Sequence, residues 1–232
     1  MGLNEHRTTL PSHGYRHSGE RHLRDSSYLE RIHPNPGPVL QDIEAEAEHE
    51  GQPITERPST RLLATVVQAI AARRALEVGT NIGYSAIAIA SAMATGSELI
   101  TLDIDPEMHA RARANAERAG VSDRIRMVTG AALDTLPGIE GPFDFAYIDA
   151  NKDTYPQYLD AVLARLRPGG VVAIDNLLWL GQAAHEPEDS DFARDSTPVI
   201  RTFNKAFLAD ARLDATIVQV GDGIGLGVKR SD

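Results

Sequence analysis

Five short apolar runs, separated by helical stretches, constrain the fold of this chain more than any other feature. The runs are ALEVG (75–79), LITLDI (99–104), IRMVTG (125–130), FDFAYID (143–149) and GVVAID (170–175). Residues 84–94, 106–119 and 155–166 between them read as helices. An earlier segment, 58–73, places Leu62, Leu63, Val66, Val67 and Ile70 at the spacing of an amphipathic helix, and 39–50 reads as a short acidic helix after a proline cluster. Alternation of continuous apolar strands with helices means an α/β fold, a parallel sheet covered by helices on both faces. The C-terminus departs from this pattern. Residues 213–220 and 224–229 read as two strands joined by Gly221-Asp222-Gly223, so an antiparallel hairpin should close the sheet.

Residues 1–35 lack this patterning. They carry His6, His13, His17, His22 and His33 among mixed charges, and they read as a disordered tail ahead of a single domain over 36–232. Acidic residues outnumber basic ones by 33 to 23, a net charge of −10, which argues against nucleic-acid and anionic-membrane partners. The chain has no cysteine, which excludes disulfides, thiolate metal sites and a cysteine nucleophile. No apolar run approaches the roughly 20 residues of a membrane span. With no apolar secretory segment at the N-terminus, the expectation is a soluble, cytoplasmic protein.

Open α/β sheets bind ligands beyond the carboxyl ends of their strands, and several polar residues fall there. The first strand runs through Glu77-Val78-Gly79-Thr80-Asn81-Ile82-Gly83 into a helix. Gly79 permits a tight turn and close approach of a ligand, although G-x-x-x-G is not the G-x-G-x-x-G of a dinucleotide site. The second strand ends in Asp103, placed to accept hydrogen bonds from ribose hydroxyls, while Asp105 before Pro106 suits a helix N-cap. The fourth and fifth strands end in Asp149 and Asp175-Asn176. If those strands are neighbours, the two carboxylates and the amide oxygen form a hard oxygen donor set suited to Mg²⁺ or a similar ion. Lys152, one of only three lysines, follows on the opening turn of the next helix as a candidate base.

In order, LEVGTNIGYS, LDIDPE, GAALDTLP, YIDANKDTY, RPGGVVAIDNLLWLG and GDGIGL resemble the cation-dependent O-methyltransferases, the group of catechol and caffeoyl-CoA O-methyltransferases. The resemblance implies a Rossmann-like class I methyltransferase, with a seven-stranded, mostly parallel sheet in the order 3-2-1-4-5-7-6. It implies S-adenosylmethionine held by Thr55, Glu77, Gly79, Thr80, Ser85, Asp103, Ile104 and Ala132. It also implies a divalent cation, Mg²⁺ in first place, on Asp149, Asp175 and Asn176, with Lys152 as general base and Trp179 as a substrate wall. Trp179 reads equally as a core aromatic.

Relatives often have D-A-D-K where this chain has DANK, so Asn151 replaces a carboxylate but keeps an amide oxygen for cofactor contact. The expected acceptor is a catechol-like phenol, whose vicinal oxygens suit one cation at Asp149, and helices before residue 73 are the expected homodimer surface. Residues 180–197, with Glu186, Glu188, Asp189, Asp191 and Asp195, should select the acceptor. A metal-independent methyltransferase, a nicotinamide-dependent oxidoreductase and a non-catalytic binding protein are the alternatives.

Overall fold

In a computed structural model, which describes residues 28–29, 31–184 and 196–231, the apolar runs become the strands of one sheet. The elements are α1 (Pro38–Glu50), α2 (Arg57–Ala69), β1 (Arg74–Val78), α3 (Tyr84–Ala92), β2 (Glu98–Asp103), α4 (Pro106–Arg118), β3 (Ile125–Thr129) and the short α5 (Ala132–Thr135). They continue with β4 (Phe143–Ile148), α6 (Tyr155–Leu163), β5 (Leu166–Ile174), α7 (Thr197–Leu208), β6 (Leu213–Val218) and β7 (Ile224–Lys229). The sheet order is β3-β2-β1-β4-β5-β7-β6, as expected. β1 through β5 pair in parallel, and β7 joins β5 and β6 antiparallel. All of these elements lie in one compact unit, Pro36–Asp232.

Because side chains alternate across a strand, each central strand feeds two cores. Phe145 and Tyr147 of β4 pack with Ala75, Leu99 and Ala173 against Leu63, Val67, Ile87 and Ile89 from α2 and α3. Ala146 and Ile148 point the other way, with Leu76, Ile100, Val172 and Ile174, onto Leu159, Val162, Phe203 and Phe207 from α6 and α7. Both faces are therefore apolar, which explains the continuous runs. α3 is apolar all round, with six of its nine residues buried. Asp105 caps α4 as expected, accepting from the Glu107 N–H at 2.8 Å.

Several boundaries differ from the sequence reading, and one helix is added to it. α6 ends at Leu163 rather than 166, and β5 starts at Leu166, ahead of Pro168-Gly169-Gly170. A register shift between Phe143 and Phe145 absorbs that turn-like tripeptide, so the strand survives it. α7 was not anticipated, although Ile200, Phe203 and Phe207 stand at helical spacing and are buried. Its first residue, Thr197, falls at the end of the acidic segment 180–197. The acidic residues assigned to acceptor selection, 186–195, lie outside the described residues, as does most of the expected disordered tail, 1–27 and 30. Among the described residues, no helix is long and apolar enough to cross a membrane.

Register then fixes the rim. Val78 pairs with Ile148, and Ile148 with Ile174. The residues that follow, Gly79, Asp149 and Asp175, therefore emerge side by side at the carboxyl edge. Phe145 is fully buried beneath that edge. Phe145→Ala should lower unfolding stability by about 3–5 kcal/mol, measured as a shift in the urea midpoint with an unchanged slope.

Candidate active site

A cavity of about 800 Å³ opens over this edge. It is lined by Thr55, Gly79, Thr80, Ser85, Asp103, Ile104, Ala132, Asp149, Asn151, Lys152, Asp175, Asn176 and Trp179, together with Asn81, Tyr158, Leu180 and Asp222. Among the described residues expected to hold the cofactor, cation or acceptor ring, Glu77 alone is not on its wall.

The β1–α3 turn explains the first half of the cavity. Gly79 has φ of +100°, and a Cβ there would sit 2.0 Å from the Asp149 carbonyl oxygen. Only glycine lets β1 and β4 end this close together. The turn's N–H groups then hold a carboxylate: Thr80 and Asn81 donate to Asp103 Oδ2 at 3.0 and 2.8 Å, and Asp105 N–H donates to Oδ1 at 3.0 Å. Donors that hold a pyrophosphate in a dinucleotide site are committed here to Asp103. Beside it, Ile104 is 72% exposed, an unusual position for an apolar side chain and one suited to a flat aromatic ligand.

Glu77 lies below this wall, fully buried, so any role in cofactor binding runs through its neighbours rather than through an open face. It accepts from Ser85 Oγ at 2.7 Å and Thr101 Oγ1 at 2.6 Å. Since the Thr101 proton is spent on Glu77, Thr80 must donate its own to Thr101 (2.6 Å) and accept from His109 Nε2 (3.0 Å). His109 Nδ1 then accepts from Thr129 at 2.7 Å. Burial lowers the imidazole pKa, which suits this neutral tautomer. With Glu77 ionised, the whole chain of hydroxyls points at one carboxylate. Desolvation nevertheless raises Glu77 to about 8, against the pull of Thr101 and Ser85.

The second half is acidic. Asp149 pairs with Lys152 Nζ at 2.8 Å, and the ammonium sits 5.2 Å from the centre of the Tyr155 ring. Asp175, 3% exposed, accepts from Tyr147 Oη at 2.5 Å and the Asn176 N–H at 2.7 Å. Burial and then the charge of Asp149 raise the Asp175 pKa. Because Tyr147 gives its proton to Asp175, Thr55 Oγ1 donates to Tyr147 Oη at 3.1 Å, tying the segment before α2 to the rim. Asn81 anchors the same segment, donating to Pro53 O at 2.5 Å and accepting from Gln52 Nε2 at 2.6 Å.

Asn151 accepts from the Asp153 N–H at 2.9 Å, so its amide oxygen caps the turn that carries Lys152. Trp179 combines its two readings, lining the cavity while packing on the second core.

Among the described residues no group of three or more His, Cys, Asp or Glu side chains is arranged to hold a metal. The candidate set is two carboxylates and an amide. Asp149, Asp175 and Asp222 line the same cavity as Lys152, and hard oxygen donors in excess of positive charge fit a divalent cation. Tyr147, Asn81 and Asp222 were not singled out from sequence. Tyr147 looked like one more apolar strand residue, and Asp222 like ordinary hairpin chemistry.

A family model describing O-methyltransferases matches residues 38–230. The catechol O-methyltransferase of Niastella koreensis is 35% identical over 176 residues, 74% of this chain and 76% of its own. Caffeoyl-CoA O-methyltransferase 1 of Eucalyptus globulus is 30% identical over 214 residues, 89% of this chain and 86% of its own. The crystal structure of an O-methyltransferase from Bacillus cereus, in complex with SAH, superposes with a TM-score of 0.76 at 29% identity, covering 89% of this chain and 97% of that one.

The raised pKa of Glu77 has a thermodynamic consequence. Between its ordinary 4.5 and about 8 the folded protein binds more protons than the unfolded chain. The stability that protonated Glu77 contributes is thus full at low pH and lost as pH rises through that window. Glu77→Gln should remove this component. Urea midpoints from pH 5 to 8 should fall more steeply for the wild type than for the variant; parallel profiles would contradict the assignment.

Proposed function

This chain belongs to the O-methyltransferase family, and from that premise we propose that it methylates a hydroxyl of a catechol-like phenol with the help of a divalent cation. S-Adenosylmethionine would supply an electrophilic methyl group. Asp103 offers its carboxylate to ribose hydroxyls, since its orientation is already set by three N–H donors. Ile104 and Ala132 offer apolar surface to the adenine. Thr80 and Ser85 face the remainder of the cofactor, backed by Glu77. These contacts hold the donor in one pose, and alignment of two reactants can contribute roughly 7–11 kcal/mol to catalysis.

The observation that carries the reading is the acidic rim, Asp149 and Asp175 beside the Asn176 amide, with Lys152 within hydrogen-bond distance of Asp149. These three residues would hold the cation, Mg²⁺ or a relative, which when bound would supply Lewis-acid stabilisation to an ionised phenol. Lys152, as the free amine once its ammonium proton has passed to solvent, would take the phenolic proton. Trp179 and Leu180 form the apolar wall against which an aromatic acceptor would rest. A metal-independent methyltransferase would leave the acidic rim without a task. A nicotinamide cofactor would meet a turn whose donors are already committed to Asp103.

Metal stripping by a chelator should abolish methyl transfer to catechol and leave S-adenosylhomocysteine affinity within about twofold, read by product chromatography and calorimetry. Full turnover by the stripped enzyme would overturn the cation's role. Lys152→Met should lower kcat by about 10²–10⁴ with little change in cofactor affinity, measured at saturating donor.

A further inference from the structure

The turn between β6 and β7, Gly221-Asp222-Gly223, does more than reverse the chain. Gly223 has φ of +86°, and a Cβ there would fall 2.9 Å from the Leu178 nitrogen, so the turn presses directly on the segment after β5. Main-chain bonds fasten the two: Leu177 N–H to Gly223 O at 3.0 Å, and Leu178 N–H to Asp222 O at 2.8 Å. The Asp222 side chain adds two more. Asn176 Nδ2 donates to its Oδ2 at 3.2 Å, and the Leu180 N–H donates to Oδ1. Asn176, Trp179 and Leu180 have φ of +59°, +52° and +52°, three non-glycine residues in the left-handed region within five positions. Such conformations persist only where surrounding structure holds them.

A carboxylate only accepts, so the end of the Asn176 amide facing Asp222 must be the nitrogen. The amide oxygen is therefore directed away from Asp222. We propose that Asp222 is a positioning residue: its carboxylate turns the Asn176 oxygen toward the cation and pins Leu180 so that Trp179 and Leu180 stay against the cavity. This rests on the cation reading above and assigns Asp222 a task within it. The main-chain bonds do not depend on the side chain at 222, so substitution there should leave the clasp and the fold in place.

Mn²⁺ titration, followed by quenching of the sole tryptophan, Trp179, and by the spin resonance of free Mn²⁺, tests this without turnover. In Asp222→Asn the Leu180 N–H still needs an acceptor, so the new amide presents its nitrogen to Asn176. Asn176 must then turn its own oxygen back and its nitrogen toward the ion. Mn²⁺ affinity should fall about 10–100-fold, the usual loss when a partner that orients a ligand is removed. Asp222→Glu keeps the charge but displaces the acceptor by one methylene, and it should weaken binding as well. The double variant Asn176→Asp with Asp222→Asn reverses donor and acceptor and should bind Mn²⁺ more tightly than Asn176→Asp alone, in which two carboxylates face each other.

Wild-type affinity in either variant of Asp222, or a double variant no tighter than Asn176→Asp alone, would overturn the positioning role. If Asp222→Asn loses S-adenosylhomocysteine binding and fails to fold, the double variant against Asn176→Asp still decides. Absence of Mn²⁺ binding by the wild type would instead remove the cation reading itself.

Discussion

Pairing of β4 with β5 brings Asp149 and Asp175 out at one rim, where the charge of the first disfavours ionisation of the second. Neighbouring parallel strands lie about 4.8 Å apart, so the repulsion cannot be relieved by separation while the sheet stays intact. The surroundings answer it in three ways. Lys152 neutralises Asp149, Tyr147 and the Asn176 N–H solvate Asp175, and Asp222 is drawn off into hydrogen bonds with Asn176 and Leu180. What is left is an oxygen-rich, under-neutralised pocket, the condition a hard cation would meet.

The cofactor half rests on a different constraint. Because Gly79 has no side chain, the ends of β1 and β4 approach closely, and the turn's N–H groups can converge on Asp103. A carboxylate so held presents its remaining lone pairs to hydroxyls and repels phosphate. One topology therefore serves nucleoside and dinucleotide cofactors alike, and what the N–H donors of the first turn are committed to separates them.

Most element positions were legible in the chain because strands buried on both faces leave continuous apolar runs, whereas the sheet order followed from the family resemblance. The acidic rim was legible for a related reason: Asp149, Asp175 and Asn176 directly follow such runs, so strand adjacency alone brings them together. What was hidden depends on long-range partners. Tyr147 is apolar in pattern, yet its hydroxyl bridges Thr55 and Asp175, residues 120 positions apart in sequence. Asp222 sits in a turn whose glycines explain it locally, and only docking of that turn on residues 176–180 gives its carboxylate work. α7 and the true start of β5 were missed for local reasons: an acidic segment masked the first, and Pro168-Gly169-Gly170 imitated a turn in the second.

The proposed function requires that the rim formed by Asp149, Asp175 and Asn176 hold a divalent cation beside the methyl donor. Crystals grown with S-adenosylhomocysteine and Mn²⁺, examined by anomalous scattering at the manganese edge, test it most directly. One strong anomalous peak is expected within coordination distance of both carboxylates and the Asn176 amide oxygen. A cofactor-loaded site with no peak there, or with Lys152 still bonded to Asp149 across an ion-free rim, would contradict it.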